Sequence, residues 1–94
     1  NSAWTAIVTI TGVSSAVEVC KFRRECVIKN VGGTTSLVGT VDTLGTDKAD
    51  ASLSTASVSI TADNTNNTLK IEKTSVATTI MEWQAKIELT ELEY

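Results

Sequence analysis

Histidine and proline are both missing from this 94-residue chain, and only four side chains are aromatic: Trp4, Phe22, Trp83 and Tyr94. Without histidine the chain lacks the commonest general base near neutral pH and the commonest zinc ligand. A phosphate-cradling glycine loop, a dinucleotide fingerprint and a G-x-S-x-G elbow are absent as well. No stretch approaches the roughly 18 consecutive apolar residues of a membrane helix, and no basic segment leads into an apolar one as in a secretory signal. A membrane is therefore not expected as a partner, and neither is nucleic acid, since the net charge is −3 and the pI about 4.8, whereas gripping a phosphate backbone takes a clustered positive excess. The only methionine is Met81 and the first residue is Asn1, so a processed product, an excised domain or a chain lacking its start is expected.

What is present points to strands. Threonine occurs 16 times, valine 10 and serine nine, and 41% apolar with 20% charged residues suits an ordinary folded domain. The length fits one domain spanning residues 1–94. Trp4, Ala6, Val8 and Ile10 alternate with Thr5, Ile7, Thr9 and Thr11, the period-two pattern of a half-buried strand that Gly12 is expected to break. From Ala16 to Asn30, Val17 and Val19 lie on one parity, and Cys20, Phe22, Cys26 and Ile28 on the other. A bulge near Val19 and Cys20 would reconcile them.

Gly32 and Gly33 mark a turn, Ser36 to Asp42 a short apolar-rich strand, and Thr43 to Ala51 a polar loop. Ala56, Val58 and Ile60, the Asx-rich run Asp63 to Asn67, and then Leu69 and Ile71 make a hairpin. Met81, Trp83, Ala85, Ile87 and Leu89 alternate with Glu82, Gln84, Lys86, Glu88 and Thr90. This alternation outweighs the helix propensity of Ala85 to Tyr94 and places the first set in the core and the second in solvent or against a partner chain. The expected fold is all-β: a single antiparallel β-sandwich or flattened barrel of about six to eight strands. With so few aromatics, its core is built from small aliphatics and gains from burial against other chains.

Few residues suggest chemistry, and no catalytic, metal or cofactor site is expected. Cys20 and Cys26, on one face of a continuous strand, stand about 20 Å apart, beyond the roughly 7 Å reach of a disulfide. Free buried thiols and assembly in a reducing cytoplasm are therefore expected. Lys21, Arg23 and Arg24 form the one basic cluster, read as a solvated strand face or one salt-bridged with Glu18 and Glu25 rather than as a phosphate or acidic-sugar site. Glu82, Glu88, Glu91 and Glu93 supply carboxylates enough for a glycosidase pair, but an open strand face accounts for Glu82 and Glu88. Asp63 to Asn67 lacks the spaced acidic pattern of a calcium loop and reads as a turn. Asn66-Asn67-Thr68 is a glycosylation sequon, relevant only on a eukaryotic secretory route.

The segments LVGTVDTL, ASVSITADNTNNTLKIEKTSVATTIMEWQAKIELTE and FRRECVIKN together resemble a small β-rich domain of tail-fibre and other virion structural proteins of tailed bacteriophages and prophages. The Asx-rich hairpin before Leu69, the Thr79-Ile80 pair leading to Trp83, and the closing alternation to Glu91 carry the likeness. It implies a non-enzymatic building block of a tail fibre, spike or capsid surface. Its partners would be copies of itself, as a homotrimer, and other virion proteins, and its place the virion, assembled in the bacterial cytoplasm. Two alternatives stand beside it: a fibre-tip module binding bacterial surface glycan, with Tyr94 and Trp4 as available aromatics, and a self-assembling extracellular fibre subunit pairing strand edges.

Overall fold

The computed structural model describes residues 1–77 and 79–93. Among these the chain forms eight strands: β1 (Ser2–Ser14), β2 (Val19–Val31), β3 (Thr34–Leu37), β4 (Asp42–Thr43), β5 (Lys48–Ala49), β6 (Ser57–Asp63), β7 (Thr68–Thr74) and β8 (Met81–Glu93). One 3-10 turn, Ala51–Leu53, precedes β6. A six-stranded sheet has the order β3-β2-β1-β8, with β4 and β5 also on β2, and β6-β7 is a separate two-stranded hairpin. Every pairing is antiparallel, so the expected all-β architecture is the one observed.

β1 organises the sheet. It pairs with β2 from Ser2↔Asn30 to Val13↔Val19 and with β8 from Ser2↔Glu93 to Ser14↔Met81, without interruption on either side. Thirteen residues at about 3.4 Å each span roughly 44 Å, which accounts for the 47 Å long axis. Alternation then decides burial: Ala6, Val8 and Ile10 face inward with Cys20, Phe22 and Cys26 of β2, and Leu53, Ala56 and Ile60 complete the core from the covering layer. On the outer face Thr5, Ile7, Thr9 and Thr11 lie between Val27, Glu25, Arg23 and Lys21 on one side and Thr90, Glu88, Lys86 and Gln84 on the other.

Four local expectations are corrected. β2 has no bulge, because Val17 lies in the turn before it: Val17 N–H bonds Ser14 O at 2.9 Å, the Ser14 hydroxyl accepts from Ala16 and Glu18, and Val17 has φ 59°. Gly12 does not end β1. It is buried within the strand, two residues before its end, where an added Cβ would stand 2.9 Å from Cys20 Sγ, Met81 Cε and Trp83 Cζ3. The strand expected from Ser36 to Asp42 instead starts at Thr34 and stops at Leu37, since Gly39, with φ 71°, turns the chain away. The polar stretch Thr43 to Ala51 holds β5 and the end of β4, fastened to β2 by Leu44 N–H to Arg23 O, Asp50 N–H to Val19 O and Val19 N–H to Asp50 Oδ2. Pairing through the backbone leaves no mark in side-chain polarity.

The β6-β7 hairpin is pinned to the β2-β3 turn by a polar knot around Thr35, which is buried. Thr35 N–H donates to Asn64 Oδ1 at 2.7 Å and its hydroxyl accepts from Asn30 Nδ2 at 2.8 Å. Asn67, with its NH2 turned to Gly33 O, Thr35 Oγ1 and Asn64 O, joins the same knot. The neighbouring turn needs both its glycines, since Gly32 and Gly33 have φ 58° and 85°, as a two-residue hairpin turn of the I′ kind demands.

Two stability outcomes follow from the backbone. Gly12→Val is expected to destabilise by about 1–3 kcal/mol, the usual range for overpacking, because the indole of Trp83 and the Cys20 sulfur have little room to retreat. Val17→Asn is expected to stabilise by up to about 1 kcal/mol, since asparagine tolerates the left-handed region better than a β-branched residue and the exposed valine surrenders little packing. Urea unfolding of both variants measures the two shifts.

Candidate functional site

The residues singled out for chemistry are dispersed. Cys20 and Cys26 are buried and free; burial pushes both thiols up, which makes them poor nucleophiles. The basic cluster is split by alternation: Lys21 and Arg23 are exposed on the outer face, whereas Arg24 shares the inner face with Phe22 and Cys26. Arg24 does not pair with Glu18 or Glu25. It makes a two-pronged contact with Asp47, Nη1 to Oδ1 at 2.6 Å and Nη2 to Oδ2 at 3.0 Å, while its guanidinium carbon lies 5.7 Å from the centre of the Phe22 ring. The hydrogen bond from Arg24 holds the Asp47 carboxyl below the ordinary aspartate value. Glu18 accepts instead from the Ser52 hydroxyl.

Glu82 and Glu88 lie on the outer face and Glu91 on the opposite one, so these three carboxylates do not converge. The Asp63 carboxylate is occupied within its own turn, accepting from Thr65 N–H at 3.0 Å, Asn66 N–H at 3.1 Å and Asn66 Nδ2 at 2.8 Å. The bond from the Asn66 side chain is the main cause that draws its carboxyl below the ordinary value. Asn66 itself, the first residue of the sequon, is exposed in that turn. Among the described residues no group of three histidine, cysteine, aspartate or glutamate side chains stands close enough to share a metal ion.

What the structure does bring together is an open seam. β7 pairs only with β6, and β8 only with β1, so among the described residues each leaves one strand edge without a hydrogen-bonding neighbour. Between them lie two grooves. One, of about 420 Å³, is lined by Ile10, Ile71, Lys73, Trp83 and Ala85 among others; a smaller one of about 140 Å³ lies among Trp4, Ile28, Leu69 and Leu89. One end of the seam is laced shut by Trp83. Its Nε1 donates to Ser75 Oγ at 2.9 Å, its ring stacks on Phe22 at 6.5 Å, and Lys73 Nζ sits 5.9 Å over it.

Beyond Trp83 the cover runs out, and the burial expected for the apolar face of β8 is only partly realised. Met81 and Trp83 are half-buried, but Ala85, Ile87 and Leu89 are exposed, Ile87 at 45% and Leu89 at 61%. Their parity is the inner one, opposite the buried Ile10, Val8 and Ala6, yet β7 stands off from them across the two grooves and does not close over β8. Sequence reasoning missed the seam because alternation reports which way a side chain points, not whether anything lies above it. It also missed Arg24, although the inward parity of its neighbours Phe22 and Cys26 carried the signal: an arginine on that face needs an acidic partner from another segment.

Comparison with family models, with curated proteins and with solved structures finds no match to this chain.

Asp47→Ala is expected to cost about 1–2 kcal/mol, more than a fully exposed pair and less than a dry one, since the Arg24 side chain is 15% exposed and that of Asp47 43%. The sign of the pH dependence is fixed by the direction of the shift. A carboxyl that binds its proton less readily in the folded chain contributes stability above the unfolded aspartate pKa, and this is lost as pH falls through the depressed folded value. Chemical denaturation across that acid range should therefore show a shallower loss for Asp47→Asn than for the parent chain.

Proposed function

We propose that this chain is a non-enzymatic structural module of a tailed-bacteriophage particle, in a tail fibre, spike or capsid surface, and that it acts by protein–protein assembly. The observation that carries the assembly reading is the edge of β8: thirteen residues long, without a strand neighbour among the described residues, and flanked by the exposed apolar row Ala85, Ile87, Leu89. Long unpaired edges recruit other strands unless something covers them, and an exposed apolar row beside one adds area that a partner would bury. The virion setting comes from the likeness of the hairpin and closing strand to phage structural domains, which also favours a homotrimer and other virion proteins as neighbours. Free buried thiols accord with assembly in a bacterial cytoplasm.

Glycan binding draws less support. Trp83 is stacked on one side and capped by a lysine, Trp4 is half-buried, and Tyr94 lies outside the described residues. A sugar platform needs a broad open aromatic face; the Trp83 ring is engaged by Phe22 and Lys73, and Trp4 lines a groove of only about 140 Å³.

Light scattering over a concentration series, together with labelling of the source particles in electron micrographs, tests the proposal. The expected result is a species that grows with concentration and a label on the particles. A monomer at every concentration that is absent from virions, or turnover of a host polysaccharide, overturns it.

A further inference from the structure

The partner of the β8 edge is written in its own charge pattern. On the outer face two rows cross the sheet: Arg23, Thr9 and Lys86 make a basic row, and Glu25, Ile7 and Glu88 make an acidic row beside it. Both end at the free edge of β8, where Lys86 and Glu88 are exposed and only loosely paired at 3.7 Å. The middle residue of the strand, Ile87, lies between them.

We infer that β8 pairs antiparallel with β8 of a second copy about a two-fold axis through Ile87, joining the two six-stranded sheets edge to edge. This deepens the assembly reading, on which it rests, by naming the partner, and it sets a two-fold contact at this edge in place of the threefold one that the phage likeness favours. A two-fold axis at the strand centre brings Met81 opposite Glu93 and so pairs all thirteen residues of each strand. In that register Lys86 faces Glu88 of the partner subunit, and Glu88 faces the partner's Lys86. The basic row of one sheet thus continues into the acidic row of the other, twice. Moving the axis by one residue sets Glu88 against the partner's Glu88 or Lys86 against the partner's Lys86, like charges directly opposed. Of these three central registers, the full-length one is the one in which opposite charges meet. The same axis sets Ile87 against the partner's Ile87 and Ala85 against the partner's Leu89, so the apolar row that the hairpin leaves bare gains a neighbour on its open side. Two-fold contacts of this self-complementary kind close on themselves and do not propagate.

Charge reversal tests this in the full chain. Lys86→Glu opposes carboxylates at both crossings and Glu88→Lys opposes ammonium groups; each is expected to weaken self-association by about tenfold or more, measured by sedimentation equilibrium. The two single variants mixed together should associate, and the chain carrying both substitutions should recover the parental affinity, because each restores opposite charges at both crossings. Near-ultraviolet dichroism of Trp4 and Trp83 checks that every variant folds. A dimer or trimer indifferent to both reversals overturns β8 pairing while leaving the assembly reading standing. Loss of association in the single variants without rescue by mixing or by the double substitution also overturns it, as does a parent chain that stays monomeric at high micromolar concentration, an outcome that counts against the assembly reading as well.

Discussion

A shortage of cover governs this molecule. Three strands of thirteen residues are laid side by side, and the layer above them is a hairpin with strands of seven residues plus one 3-10 turn. Where that layer sits, over Ala6, Val8, Ile10, Cys20 and Phe22, side chains are almost wholly buried. Where it ends, apolar residues of the same parity are left in water. Among the described residues the covering layer does not extend across the edge strand β8, where Ile87 and Leu89 stay exposed.

The packing at the covered end shows how tightly the available material is used. Gly12 lacks a side chain so that Trp83, Met81 and Cys20 can meet over it, and Ser75 holds the indole by its one polar atom. At the far end of the hairpin the Asn30, Thr35, Asn64 and Asn67 side chains perform the same task with polar groups, each buried atom meeting a partner. Between them, Arg24 reaches out of the inner face to draw the β4–β5 excursion against β2 through Asp47. The fastenings lie at the two ends and along β2, whereas the β7–β8 seam is laced at Trp83 alone among these contacts.

Much of this was legible in the sequence, because a pleated strand writes its facing into every second residue. The inward sets of β1, β2 and β8 and the hairpin around the Asx-rich turn can be read from Trp4 to Ile10, Cys20 to Ile28, Ala56 to Ile71 and Met81 to Leu89. What alternation does not encode is the extent of the opposing layer, so Ile87 and Leu89 read as core and stand exposed. Nor does it encode why a glycine is there: Gly12 reads as a break and is instead a concession to three neighbours distant in sequence. The turn at Val17 misleads for a related reason, since a β-branched residue at positive φ is a conformation that sequence preference argues against. The strands β4 and β5 pair through backbone groups, and their polar side chains gave no sign of it.

Amide hydrogen exchange reads directly whether another chain covers the edge of β8 that has no strand neighbour among the described residues. Alternate N–H groups of β8 point to β1 and the others point away from it, so one strand holds both the probe and its internal control. In dilute solution the outward amides are expected to exchange rapidly while the inward ones are protected, and protection of the outward set should rise with protein concentration. Outward amides that exchange rapidly at every concentration, while the inward set stays protected, would contradict cover by another chain.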